Sequence, residues 1–66
     1  MEITVNGEGR QFPAGMTAAE LIDALGLGSR RLALEVNGEI VPKSEHPGFT
    51  LNSGDRVEIV HAVGGG

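Results

Sequence analysis

Residues 16–27 read Met16-Thr17-Ala18-Ala19-Glu20-Leu21-Ile22-Asp23-Ala24-Leu25-Gly26-Leu27, the best-marked helix in the chain. Thr17 is a good helix N-cap and Glu20 stands three residues later. That is the spacing of a capping box, in which each side chain satisfies a backbone amide of the other. Met16, just before the cap, is placed to staple onto Leu21. Ala18, Leu21, Ile22 and Leu25 fall at i, i+3, i+4 and i+7, which gives one apolar stripe. Gly26 suits the left-handed residue that ends a helix, and Leu27 beyond it can pack back on Ile22 as in a Schellman stop. The spacing predicts a helix over 18–25, about 12 Å long. Such a short helix does not persist alone in water, so it must lie against a sheet.

Strands are written on both sides of it. Upstream, Met1, Ile3 and Val5 alternate with Glu2, Thr4 and Asn6, the period of a strand with one face buried. Asn6-Gly7 is a strong hairpin signal. Arg10 to Phe12 reads as the returning strand with Phe12 inward, and Pro13-Ala14-Gly15 breaks it. Downstream, Gly28-Ser29-Arg30-Arg31 is a loop, and Leu32, Leu34 and Val36 alternate as a third strand. Asn37-Gly38 is a second hairpin turn into a short fourth strand, Glu39 to Val41, which Pro42 limits to an edge or an end. Lys43 to Gly48 is a polar connection with room for one helical turn, and His46 within it is expected in solvent. Phe49 and Leu51 are set to plug the core. Asn52-Ser53-Gly54-Asp55 is a turn cluster, and Arg56 to Val63 is the last strand before Gly64-Gly65-Gly66.

One amphipathic helix covers one face of one sheet. The first and last strands are both apolar, and parallel pairing at the sheet centre would bury both. The expected class is α+β: a mixed four- to five-stranded sheet with one helix packed across one face. Residues 1–63 would form the domain and 64–66 a flexible glycine tail.

The composition removes several function classes. A chain of 66 residues is at most one domain and has no room for a deep cleft around a core. There is no Cys, so disulfides, zinc–thiolate sites and iron–sulfur clusters are excluded. The formal charge of -4, with no Trp and no Tyr, argues against nucleic acid. No apolar run approaches the roughly 20 residues that span a bilayer. Met1 leads directly into a charged, alternating segment, so no signal peptide is expected, and a cytoplasmic location with protein partners is.

The element order, the Gly54-Asp55 turn, the segment Val36-Asn37-Gly38-Glu39-Ile40-Val41-Pro42, and Val57-Glu58-Ile59-Val60-His61 running into the glycines carry a resemblance. Together they resemble the ThiS-like sulfur carriers of thiamin biosynthesis, β-grasp (ubiquitin-like) proteins related to the small subunit of molybdopterin synthase. Ala62 departs from the pattern, since a bulky apolar or aromatic residue is common there. The resemblance implies a carrier and not an enzyme, with no bound cofactor. A ThiF-like adenylyltransferase would join the carboxylate of Gly66 to AMP. A sulfur donor such as a cysteine desulfurase system would convert it to a thiocarboxylate (1-thioglycine). A ThiG-like thiazole synthase would take the sulfur. Delivery to molybdopterin or tRNA, conjugation as a ubiquitin-like modifier, and a plain β-grasp interaction module with an inert tail are the alternatives.

Glycine lacks Cβ and allows close backbone approach, which suits threading a narrow channel. Val63, Gly64 and Gly65 would lead Gly66 through it, and the four residues together reach roughly 13 Å when extended. On the last strand Val57, Ile59 and His61 share one face, and Glu58, Val60 and Ala62 share the other. With Val57 and Ile59 under the helix, Val60 and Ala62 would form a small docking surface. The remaining candidates are weaker. His61 beside the tail has no acid–base task if partner enzymes supply the chemistry. His46 and His61 show no metal-ligand spacing. Ser29, Ser44 and Ser53 lie in loops without a base or an orienter, so the isolated chain is expected to catalyse nothing. Arg30-Arg31 is too small a patch to signal nucleic acid. Glu35, Glu39, Glu45, Asp55 and Glu58 read as a solvated acidic surface that steers towards basic partners.

Overall fold

The alternating segments form β1 (Glu2–Val5), β2 (Glu8–Gln11), β3 (Leu32–Val36), β4 (Glu39–Val41) and β5 (Arg56–His61), and the capped stretch forms α1 (Ala18–Ala24). The structure, a computed structural model, describes residues 1–61. The five strands make one sheet in the order β2-β1-β5-β3-β4. β1 and β5 pair in parallel at the centre, with Val5 beside Val57, and all other neighbours are antiparallel. This is the mixed sheet and single helix that the alternation pattern predicts.

Both Asn-Gly turns form as read, and the strand returning from the first runs Glu8–Gln11, earlier than the expected Arg10 to Phe12, because pairing with β1 starts directly after the turn, at Glu8 beside Val5. Asn6 and Gly7 have φ of 49° and 85°, and Asn37 and Gly38 have 54° and 86°. Positive φ at both central residues gives the tight turn whose twist matches antiparallel strands, and Asn followed by Gly is the pair that adopts it most readily. The helix ends are also as read. The capping box is complete: the Glu20 amide donates to Thr17 Oγ1 at 3.2 Å, and the Thr17 amide donates to Glu20 Oε1 at 2.9 Å. At the other end Gly26, at φ 74°, carries the paired bonds of a Schellman stop. The Leu27 amide donates to the Ile22 carbonyl at 3.0 Å and the Gly26 amide to that of Asp23 at 2.9 Å.

Helix and sheet close on Ile3, Leu21, Leu34, Leu51 and Val57, the largest fully buried side chains, with Ala18, Ile22, Val36, Val41 and Ile59 around them. Fully burying each such aliphatic side chain contributes about 1.5–3 kcal/mol. Phe12, Met16, Leu25 and Phe49 are half-buried against this core. Phe12 lies just past β2, and its amide bonds to the Met1 carbonyl at 2.9 Å. The Phe49–Leu51 segment ties the N-terminus of α1 down. The Ala18 amide donates to the Phe49 carbonyl at 2.8 Å, and the Leu51 amide donates to that of Met16 at 2.9 Å.

Two polar residues sit differently from their expected places. His46, expected in solvent, is buried within the 3₁₀ turn Lys43–Gly48. Its Nε2 lies 3.0 Å from the Val41 carbonyl, so this nitrogen carries the proton and donates. That bond folds the ring back under the turn. Asp55, expected on the acidic surface, is also buried. Its Oδ2 accepts from the Asn52 amide at 2.8 Å and its Oδ1 from Asn37 Nδ2 at 3.0 Å, so the carboxylate closes the turn that launches β5.

Candidate functional site

The candidate site is the end of β5 and what surrounds it. β5 is the central strand, held by β1 on one side and β3 on the other. Two turn asparagines add to that hold. Asn37 exchanges bonds with Arg56 at the start of the strand: its amide donates to the Arg56 carbonyl at 2.7 Å, and its Oδ1 accepts from the Arg56 amide at 2.9 Å. Asn6 acts further along. Its amide donates to the Val57 carbonyl at 2.9 Å, and its Oδ1 accepts from the Ile59 amide at 2.8 Å. The Asn6 side chain thereby continues the parallel ladder after β1 has turned back into β2.

Alternation then fixes the two faces. Val57 and Ile59 are buried under the helix. Val60 is 56% exposed on the opposite, open face, directly across from Ala33. On that face Glu35 lies across from both Glu58 and Ile40, and Ile40 is 67% exposed. The open face near the end of β5 therefore carries Ala33, Ile40 and Val60 beside two carboxylates. Like charges directly opposite each other on neighbouring strands are destabilising. Sequence reading found Val60 and missed Ile40, because Glu39 to Val41 is too short to show which way its alternation runs. The register of β4 against β3 supplies the answer.

His61 is exposed at the last described position of β5 and pairs with Leu32. It borders a shallow recess of about 530 Å³ shared with Ser29, Arg30 and Arg31. It also borders a groove of about 230 Å³ whose lining includes Asn6, Leu25, Leu27 and Ile59. Among the described residues no group of three or more His, Cys, Asp or Glu side chains is placed to hold a metal ion. No helix among them is long and apolar enough to cross a membrane. The expected acyl site Gly66, the threading residues Val63, Gly64 and Gly65, and the docking candidate Ala62 lie outside the described residues.

Comparison with known proteins adds to this geometry. Residues 3–66 match the model of the ThiS family. The chain is 30% identical to the sulfur carrier protein ThiS of Escherichia coli, over the full length of both. It is 48% identical over 66 residues to a thiazole synthase of Paramagnetospirillum magneticum and spans about 20% of that protein's length. It also spans about 20% of a second thiazole synthase, from Magnetococcus marinus, at 35% identity. The crystal structure of the thiamine biosynthesis protein ThiS from Geobacter metallireducens superposes with a TM-score of 0.87 at 30% identity, covering all of both chains. That likeness makes the mixed sheet and its helix a β-grasp fold.

Proposed function

The chain belongs to the ThiS family, and from that premise we propose that it is a sulfur carrier whose C-terminal glycine, Gly66, is adenylated, converted to a thiocarboxylate, and used to deliver sulfur for thiazole formation in thiamin biosynthesis. The observation that carries this reading is the reach of the family match, which runs through the glycines to residue 66.

The chemistry explains the design. A carboxylate is anionic and resonance-stabilised, so it is a poor acyl electrophile. Attack of one Gly66 oxygen on the α-phosphorus of ATP breaks the bond to the β-phosphate. Pyrophosphate leaves, and a mixed anhydride remains. Sulfide-level sulfur supplied by the donor system as hydrosulfide then adds at the acyl carbon, AMP leaves with the bonding pair, and loss of the remaining S–H proton gives the thiocarboxylate. An adenylyltransferase supplies the donors that stabilise these charges and the closed site that excludes water. The carrier supplies a rigid root and a slim lead. The root is β5, clamped by Asn6 and Asn37. The lead is Val63, Gly64 and Gly65, with residues 64–66 acting as the tail. No cofactor is required on the carrier itself.

The body of the carrier would dock through its open face, with Val60 and Ile40 as apolar contacts and Ala62 as a further candidate contact. Glu35 and Glu58 favour a basic counterpart there. Two thiazole synthases contain a stretch like this chain. That favours thiazole synthase over molybdopterin or tRNA enzymes as the destination of the sulfur.

Reconstitution with ATP and a family adenylyltransferase tests the reading. Mass spectrometry should find an AMP adduct on Gly66. Deleting Gly66, or adding one residue after it, should abolish the adduct while leaving the thermal unfolding transition in place. An adduct of undiminished yield on either variant would refute the assignment.

A further inference from the structure

The loop after the helix presents a cationic recess beside the end of β5. The Schellman bonds stop the helix, and the loop then turns through a bond from the Arg30 amide to the Leu27 carbonyl at 3.0 Å. Gly28 lies against the side chain of Asp23 on the helix: a Cβ there would come within 2.6 Å of Asp23 Oδ1, and this exposed carboxylate would have to turn aside. The loop places Ser29, Arg30 and Arg31 around the same recess as His61, and no carboxylate of the described residues lines it. Leu32 and His61 form the last described rung between β3 and β5, so Arg31 stands one residue before that rung. The chain has five Lys and Arg against nine Asp and Glu. Two of those five cations meet here, on an otherwise acidic molecule.

We propose that this recess is a second contact surface, separate from the open sheet face, which seats acidic side chains at the mouth of the enzyme channel that takes the tail. The proposal rests on the carrier reading given above. Guanidinium groups match carboxylates in a two-bond geometry, and Arg30 and Arg31 are both exposed. The alternative anion is a phosphate of the activating nucleotide, and distance argues against it. That nucleotide reacts at Gly66, five residues beyond His61, a separation of roughly 16 Å for an extended chain. The root of the tail meets the rim of a channel, while only its tip meets the nucleotide. An acidic rim would also repel the carrier's acidic face, so the recess would orient the approach as well as hold it.

The test is the rate of association of the full chain with the adenylyltransferase, measured by stopped flow across ionic strengths. Charges on the rim of an interface act mainly on the association rate and its salt dependence. The R30E/R31E double variant should associate about tenfold more slowly than the wild type at low salt. The difference should shrink towards 1 M salt, where screening acts within about 3 Å. The neutral R30Q/R31Q variant should fall between them, and it keeps the test decisive if charge reversal perturbs folding. Equal rates for wild type and both variants, with wild type adenylated normally, would overturn this inference and leave the carrier reading standing. A wild-type chain that the enzyme does not adenylate would overturn both. Inorganic pyrophosphate supplies the second arm: saturable binding to the isolated chain, lost in R30Q/R31Q, would assign the recess to phosphate and overturn the proposal. An absence of such binding supports it.

Discussion

The side chain of Asn6 pairs with the backbone of Ile59 across the sheet, Oδ1 accepting from the Ile59 amide at 2.8 Å and Nδ2 donating to its carbonyl at 3.4 Å. These residues are 53 positions apart in sequence. The contact binds the first hairpin turn to the strand that carries the tail. Asn6 also holds a φ of 49°, a region that disfavours residues with a Cβ. Asn6→Gly should lose the bonds and keep the turn, at a cost of about 1 kcal/mol. Asn6→Ala should lose both, at about 2–3 kcal/mol. Urea denaturation of the two variants measures each contribution, and equal stabilities would show that backbone strain at residue 6 is negligible.

Asp55 tests the start of the same strand. Its two oxygens accept from the Asn52 amide and from Asn37 Nδ2. Asp55→Ala removes both acceptors at a buried position and should cost about 2–3 kcal/mol. If Asn37 acts through this carboxylate, combining Asp55→Ala with Asn37→Gly should cost less than the sum of the single changes. Additive costs in a double-mutant cycle would show the two side chains to be independent.

The core leaves little reserve. A chain of this size has about 3–10 kcal/mol of total stability. Leu34 is fully buried, and Leu34→Ala should cost about 2–5 kcal/mol. Circular dichroism should show a sharply lowered melting temperature or a chain already unfolded at 37 °C. A melting temperature within a few degrees of wild type would contradict the placement of Leu34.

Much of this was legible in the sequence, for identifiable reasons. The Thr17–Glu20 box, the Gly26 stop and the two Asn-Gly turns are local devices, each encoded within a few residues. Tertiary uses of the same residues were not legible. Asn6 and Asn37 read as turn formers, and nothing nearby in sequence signals that their side chains also grip β5. Asp55 read as surface charge because its partner Asn37 is 18 residues away. His46 read as solvated because its loop is polar, whereas one bond to Val41 buries it. At the candidate site, alternation along β5 identified Val60 as outward-facing. Ile40 and the recess formed by Arg30, Arg31 and His61 depend on strand register and loop packing.

The open face provides a functional prediction free of stability effects. Val60 and Ile40 are exposed, so Val60→Lys and Ile40→Lys should change stability by no more than about 0.5 kcal/mol. Each should weaken binding to the adenylyltransferase or to thiazole synthase by about tenfold or more, since burying a charge in an apolar contact is unfavourable. Calorimetric titration against each enzyme separates the partners. Unchanged affinity for both would remove this face from the docking surface.

The mass of the chain purified from its native host decides whether Gly66 carries sulfur. A sulfur carrier should yield a species heavier by about 16 Da, one oxygen replaced by sulfur, with fragmentation placing the gain on Gly66 and not on Met1 or Met16, where oxidation gives nearly the same increment. A gain confined to the methionines, or a mature chain that continues past Gly66, would contradict it.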